Sequence, residues 1–139
     1  MEIQYIHKIS EKDYNRLRKA VGWFEIPSKQ AETGLKHTAF QIVATDNDIP
    51  VGMARLVSDG GYVQYIADVV VLPGYQGYGI GKTMVNKIMD FINEGLEDGD
   101  KALVCLMAAK GKEPFYKQFG LGERPNDNYG AGMSKWIIK

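Results

Sequence analysis

The chain of 139 residues has a single cysteine, two histidines and no surplus of either charge. One cysteine rules out an intrachain disulfide and suits a reducing compartment. His7 and His37 lie thirty residues apart, and His37 has no cysteine or acid at ligand spacing, so no metal site is expected. Seventeen basic side chains are cancelled by seventeen acidic ones, which argues against a nucleic-acid binder that lives on phosphate electrostatics. No apolar run approaches the roughly 20 residues of a membrane span. Met1-Glu2-Ile3-Gln4-Tyr5 has neither the basic head nor the apolar core of a signal peptide, so a cytoplasmic location is expected. No repeat, linker or low-complexity tract interrupts the sequence, and one domain spanning residues 1–139 is expected.

What the chain does have is concentrated between Ile66 and Ile92. Ile66-Ala67-Asp68-Val69-Val70-Val71-Leu72-Pro73 is a β-branched run closed by proline, the pattern of a buried strand. Ile80, Met84, Val85, Ile88, Phe91 and Ile92 recur at helical spacing, with Lys82, Thr83, Asn86, Lys87, Asp90 and Asn93 opposite them. Between strand and helix stand Gly77, Gly79 and Gly81 on alternate positions. The first turn of a helix leaves backbone N–H groups unpartnered in a partly positive field, and glycine lets an anion approach them closely. The order predicts an anion site.

Two phosphate-binding templates miss by one residue. The nucleotide-triphosphate loop needs glycine where Gln76 stands, and the dinucleotide fingerprint needs its third glycine where Lys82 stands. The run Gln76-Gly77-Tyr78-Gly79-Ile80-Gly81, directly after a strand and opening a helix, resembles instead the acetyl-CoA signature of the GNAT acetyltransferase superfamily. That resemblance implies that backbone amides from Gly77 through Tyr78, Gly79, Ile80 and Gly81 to Lys82 grip the CoA pyrophosphate, with Gln76 opening the motif. It also implies that Val69, Val70 and Val71 pair with the amides of the pantetheine arm. A glycine-rich turn without a ligand is the plainer alternative.

Along the rest of the chain, Ile3 to Ile9 alternates as a first strand, and Ser10 with Asp13 opens a helix. Tyr14, Leu17, Ala20 and Val21 are expected inward, with Lys12, Arg16, Arg18 and Lys19 outward. Gly22 ends the helix, Trp23-Phe24-Glu25 forms a loop, and Ser28 is expected to cap a second helix running to about Leu35. The aromatic loop is either core packing or a wall of the acceptor pocket; family analogy places Trp23, Phe24 and Glu25 at the acceptor. Thr38–Thr45 and Ile49–Val57 read as a hairpin around Asp46-Asn47-Asp48, and Val51-Gly52-Met53-Ala54-Arg55 resembles a Val-Gly-x-x-Arg element of the same superfamily. Tyr62–Leu72 is the next strand, Ala102–Met107 a further one parallel to it, and residues 132–138 a final one. The fold expected is α+β: a mixed, mostly antiparallel sheet of the GNAT type, with splayed parallel strands and about four flanking helices. Cys105, without a basic neighbour, reads as an inert buried thiol.

A second resemblance lies at Phe115-Tyr116-Lys117-Gln118-Phe119-Gly120-Leu121, close to the Phe-Tyr-x-x-x-Gly-Phe helix of GNAT chains. Leu121 replaces the last aromatic, and Ala109 stands where many members place an asparagine that contacts CoA. By this match Tyr116 protonates the departing thiolate. The implied reaction is direct attack of an amine on the thioester of acetyl-CoA through a tetrahedral oxyanion, met by the N–H of Val70 or Val71. The attacking amine must shed a proton, since its pKa is about 10; Asp68 is the first candidate base and Glu25 the second, with a water chain or a purely structural Asp68 as alternatives. A small-molecule amine is the expected acceptor, with no metal, no nucleic acid and no membrane, and a homodimer is the expected assembly. The competing functions are acetylation of a protein amine, a CoA-binding regulatory module without useful catalysis, and a small nucleotide-triphosphate enzyme.

Overall fold

The computed structural model describes residues 1–139, which form two compact units, 1–105 and 106–139. The first unit holds β1 (Ile3–Ile6), α1 (Glu11–Ala20), α2 (Ser28–Lys36), β2 (Phe40–Asp46), β3 (Ile49–Val57), β4 (Val63–Val71), a 3-10 turn (Pro73–Tyr75), α3 (Ile80–Gly95) and β5 (Leu103–Cys105). The second holds α4 (Glu113–Lys117).

The sheet runs in chain order, β1-β2-β3-β4-β5. The first three pairings are antiparallel and the last, β4 with β5, is parallel. This is the mixed, mostly antiparallel α+β sheet expected. Asn47 and Asp48 at φ 48° and 68° make the two-residue turn that joins β2 to β3. In β3, Val51 to Ala54 are buried without alternation because both sheet faces are covered. Met53 and Val70 pack with Tyr14, Leu17 and Ala31 of α1 and α2. Their neighbour Gly52 faces the opposite side, where a Cβ would meet the Met84 side chain of α3 at 3.3 Å. Helix α3 buries Ile80, Met84, Val85, Ile88 and Ile92, and Phe91 stacks on Phe40 at 4.5 Å.

Several expectations change. Arg18 is buried, not outward, and Ala20 is exposed: the inner face of α1 is Tyr14, Asn15, Leu17 and Arg18. Ser10 accepts the Asp13 N–H as expected, but Ser28 is the first residue of α2 and hydrogen-bonds Glu11 instead of capping. The strand after α3 is three residues long, not six. Residues 121–139 contain neither helix nor strand, so the expected last strand does not form. A strand exists only by pairing, and an apolar pattern in Met133, Ile137 and Ile138 supplies no partner.

Candidate active site

β4 and β5 pair only over Val63–Tyr65 and Leu103–Cys105. Beyond Tyr65 the two strands part, and β4 continues to Val71 with β3 on one side alone. Leu72 N–H donates to Val51 C=O at 2.9 Å. By strand alternation the polar groups of Val70 also face β3, while those of Val71 face the edge that β5 has left. Of the two oxyanion donors expected, Val71 therefore points outward from the sheet edge and Val70 does not. The Val71 C=O accepts the Gln76 side-chain amide at 3.0 Å, which pins the glycine loop to the end of β4.

The loop itself is exposed, and Gly77 and Gly79 hold φ values of +86° and +79°. L side chains avoid this region, so the sequence places glycine there for backbone reasons. A Cβ at either position would meet nothing within 4 Å: the outer side of the loop is open. Gly79 is the N-cap of α3 without a capping side chain, and no acid lies in the helix's first turn. The first helical bond runs from Thr83 N–H to Gly79 C=O at 3.0 Å. The N–H groups of Ile80, Gly81 and Lys82 consequently have no intrahelical acceptor. Ile80 is buried and Tyr78 is 64% exposed. An uncapped, acid-free helix start beneath an open glycine loop fits a pyrophosphate. Two clefts of about 610 and 620 Å³ lie elsewhere, beside His7 and Gln41 and beside Phe91 and Lys101. A loop that binds through backbone edges needs no cleft.

Asp68 immediately precedes this edge, at φ 53°, where β4 carries one residue more than β3 between the pairs Arg55–Ala67 and Met53–Val70. The bulge turns its carboxylate toward α1. There Arg18 Nη1 reaches one oxygen at 2.9 Å, and Arg55 Nε and the Tyr14 hydroxyl reach the other, each at 2.7 Å. With both oxygens so engaged, Asp68 has the contacts of a structural carboxylate, one of the two roles the sequence left open. Burial and then the neighbouring carboxylate push the Tyr14 hydroxyl up to about 12 from 10.0. A folded-state pKa above the unfolded one means that stability is held below pH 10 and lost as pH rises towards 12. Tyr14→Phe should remove that segment of the alkaline unfolding curve, measurable by circular dichroism at stepped pH.

Arg18, expected on the outward face of its helix, organises the aromatic loop. Its Nε donates to Phe24 C=O at 3.0 Å, its own carbonyl accepts Trp23 N–H, and its guanidinium lies 5.3 Å from the Trp23 ring. Asn15 holds the next turn through both the N–H and C=O of Ile26 at 2.8 Å. Trp23 is half-buried against the core, while Phe24 and Glu25 are exposed. Thus Asp68 and the loop of Trp23, Phe24 and Glu25 are tied through one arginine. The available signal was spacing: position 18 completes the i, i+3, i+4 stripe of Tyr14 and Leu17.

In the second unit Tyr116 lies on α4, half-buried, with the Phe115 ring edge-on at 4.9 Å. Burial raises its pKa above 10.0, so the phenol keeps its proton at neutral pH. His7 and His37 each bond a main-chain carbonyl through Nδ1.

Comparison with known proteins accords with this arrangement. The model of the acetyltransferase (GNAT) domain matches residues 37–120, more than half of the chain. The uncharacterized N-acetyltransferase ycf52 of Pyropia yezoensis is 30% identical over 91% of this chain and 75% of its own length. Histone acetyltransferase TAP1 of Glycine max is 31% identical over 81% of this chain, which spans 52% of that protein. Among solved structures, a Staphylococcus aureus protein described as a probable acetyltransferase superposes with a TM-score of 0.85 at 28% identity, over 97% of this chain and all of that one. A split parallel strand pair, a glycine loop and a bare helix start, within a segment that matches the family model, establish that this chain belongs to the GNAT family of N-acetyltransferases.

Proposed function

We propose that this acetyltransferase uses acetyl-CoA to acetylate the primary amine of a small molecule. The observation that carries the reading is the continuous backbone track from the unpaired edge at Val71, through the Gln76 clamp, to the uncapped N-terminus of α3. The pyrophosphate sits on the amides of residues 77–82, and the pantetheine arm lies along Val69–Val71. The acceptor nitrogen attacks the thioester carbonyl, a C–N bond forms, and the oxyanion is met by Val71 N–H. Collapse breaks the C–S bond, and Tyr116 supplies the thiolate with a proton. The nitrogen's own proton leaves through water, while Asp68 holds the bulge that aims the strand. Trp23, Phe24 and Glu25 border the acceptor. Acylation of a protein amine is the second reading, favoured by the likeness to a protein named a histone acetyltransferase.

No helix is long and apolar enough to cross a membrane, and the lone Cys105 is free, which suits the reducing cytoplasm. The sheet ends in the edge strands β1 and β5, and we take a homodimer as the assembly, to be checked by sedimentation.

Free-thiol release from acetyl-CoA against amines, amino acids, polyamines, aminoglycosides and peptides tests the reading. Acceptor-dependent release supports transfer and names the acceptor class. Confirmed CoA binding with no release across the panel would point to a binding module instead. Tyr116→Phe should lower kcat by about tenfold or more while the CoA dissociation constant stays nearly unchanged. Equal turnover would remove Tyr116 as the acid.

A further inference from the structure

Asp68 is a single carboxylate between two guanidiniums, so the cluster carries one more positive charge than it neutralises. The side chains are little exposed: 7% for Arg18, 16% for Arg55 and 12% for Asp68. Charge so far out of water is retained only with partners. For Arg18 the rings of Tyr14, Trp23 and Phe24, at 5.7, 5.3 and 5.7 Å, supply part of the compensation. Ring faces meet the face of a guanidinium; its N–H donors lie in the plane and need oxygen acceptors.

Most of those donors have acceptors. Arg18 uses Nε on Phe24 C=O and Nη1 on Asp68. Arg55 uses Nε on Asp68, and Nη1 on Thr38 Oγ1 and Gly34 C=O. The remaining nitrogen, Nη2, is the same in both, and neither is a buried atom lacking a partner. Both Nη2 atoms therefore reach solvent. One arginine also fixes the aromatic loop, and the carboxylate they share begins the segment that leads to Val71.

We propose that the acceptor amine carries an anionic oxygen group, a carboxylate in the simplest case, which Arg18 and Arg55 hold through Nη2. This rests on the acetyl-transfer reading and narrows its substrate class. A carboxylate supplies the second negative charge and in-plane acceptors for both guanidiniums. The same surplus charge opposes polyamines and lysines within basic peptides, whose extra cations have no carboxylate to meet. An amino acid or a related zwitterion satisfies the cluster; a simple alkylamine does not.

Matched pairs of amino acids and their carboxamides, with polyamines alongside, separate the possibilities on the wild-type protein. Two readouts are taken: thermal stabilisation in the presence of CoA, and kcat/KM by thiol release with acetyl-CoA. The carboxylate member should stabilise the protein where its amide does not, and its kcat/KM should be higher by at least about tenfold. In Arg55→Gln that ratio should fall toward one, while stabilisation by acetyl-CoA alone persists. Amides or polyamines that bind and react as well as the acids, or acids that give no stabilisation at all, would overturn the proposal. Absence of stabilisation by acetyl-CoA itself would instead strike the acetyl-transfer reading. The wild-type comparison decides even if Arg55→Gln fails to fold.

Discussion

Gly79→Asp is expected to reduce acetyl-CoA affinity by about a hundredfold or more, to the point of undetectable binding. A carboxylate at this position stands at the mouth of the loop, where a Cβ has open space and no side chain to displace. At about 5 Å from a pyrophosphate charge, in a surface environment of effective dielectric about 20, each like-charge contact costs roughly 3 kcal/mol. The fold should survive the change. Aspartate is a preferred N-cap, favours the positive end of a helix, and is among the few residues that tolerate φ near +79°. Gly79→Asn is the control, having nearly the same shape and the same tolerance but no charge. Calorimetry should show Asn much closer to wild type than Asp. If Asp binds acetyl-CoA with unchanged affinity, the pyrophosphate does not sit on this loop; if Asn is as damaging as Asp, backbone strain and not charge is responsible.

The second large effect concerns stability. Asp68→Asn leaves two nearly buried guanidiniums facing a neutral amide, and removing one partner of a buried charge cluster costs about 3–5 kcal/mol. Asparagine tolerates the φ of 53° at this bulge, so the change tests charge and not backbone strain. For a chain of this size the loss corresponds to a fall in Tm of roughly 10–17 °C. Glu123→Gln breaks the Lys117–Glu123 pair, whose side chains are 55% and 53% exposed, and should cost under about 1 kcal/mol. Comparable small shifts for both variants would show that the Asp68 cluster is not a structural centre. A stable Asp68→Asn with lost turnover would return Asp68 to the role of proton acceptor.

The contrast between these sites explains what could be read from the sequence. The glycine loop and α3 were legible because their determinants are local: three alternating glycines, then an apolar stripe whose period is that of a helix. The β2–β3 hairpin was legible for the same reason, since Asn47 and Asp48 suffice to turn the chain. The Asp68 cluster was not legible. Arg18 looks like a surface residue in any window around it, because the carboxylate that allows its burial lies 50 positions further on. Ser28 misled in a similar way, as Pro27 took the capping position and the hydroxyl found Glu11. The missing strand at 132–138 and the short β5 reflect a different limit. Hydrophobic pattern describes what a segment can bury, whereas strand formation depends on which neighbour offers a hydrogen-bonding edge.

The path of the aromatic loop at residues 23–25 is held by main-chain atoms: Arg18 grips the carbonyl of Phe24, and Asn15 grips both polar groups of Ile26. Neither grip depends on which side chain occupies position 25. The Phe24 ring, 5.7 Å from the Arg18 guanidinium, ties position 24 to the ionic cluster, whereas substitutions at position 25 can accumulate without disturbing that cluster or the strand that it shapes. The chain thus separates a part free to diversify from a part that must stay constant. Under the proposed acceptor reading, a library randomised at position 25 is accordingly a direct route to new acceptors on an unchanged frame.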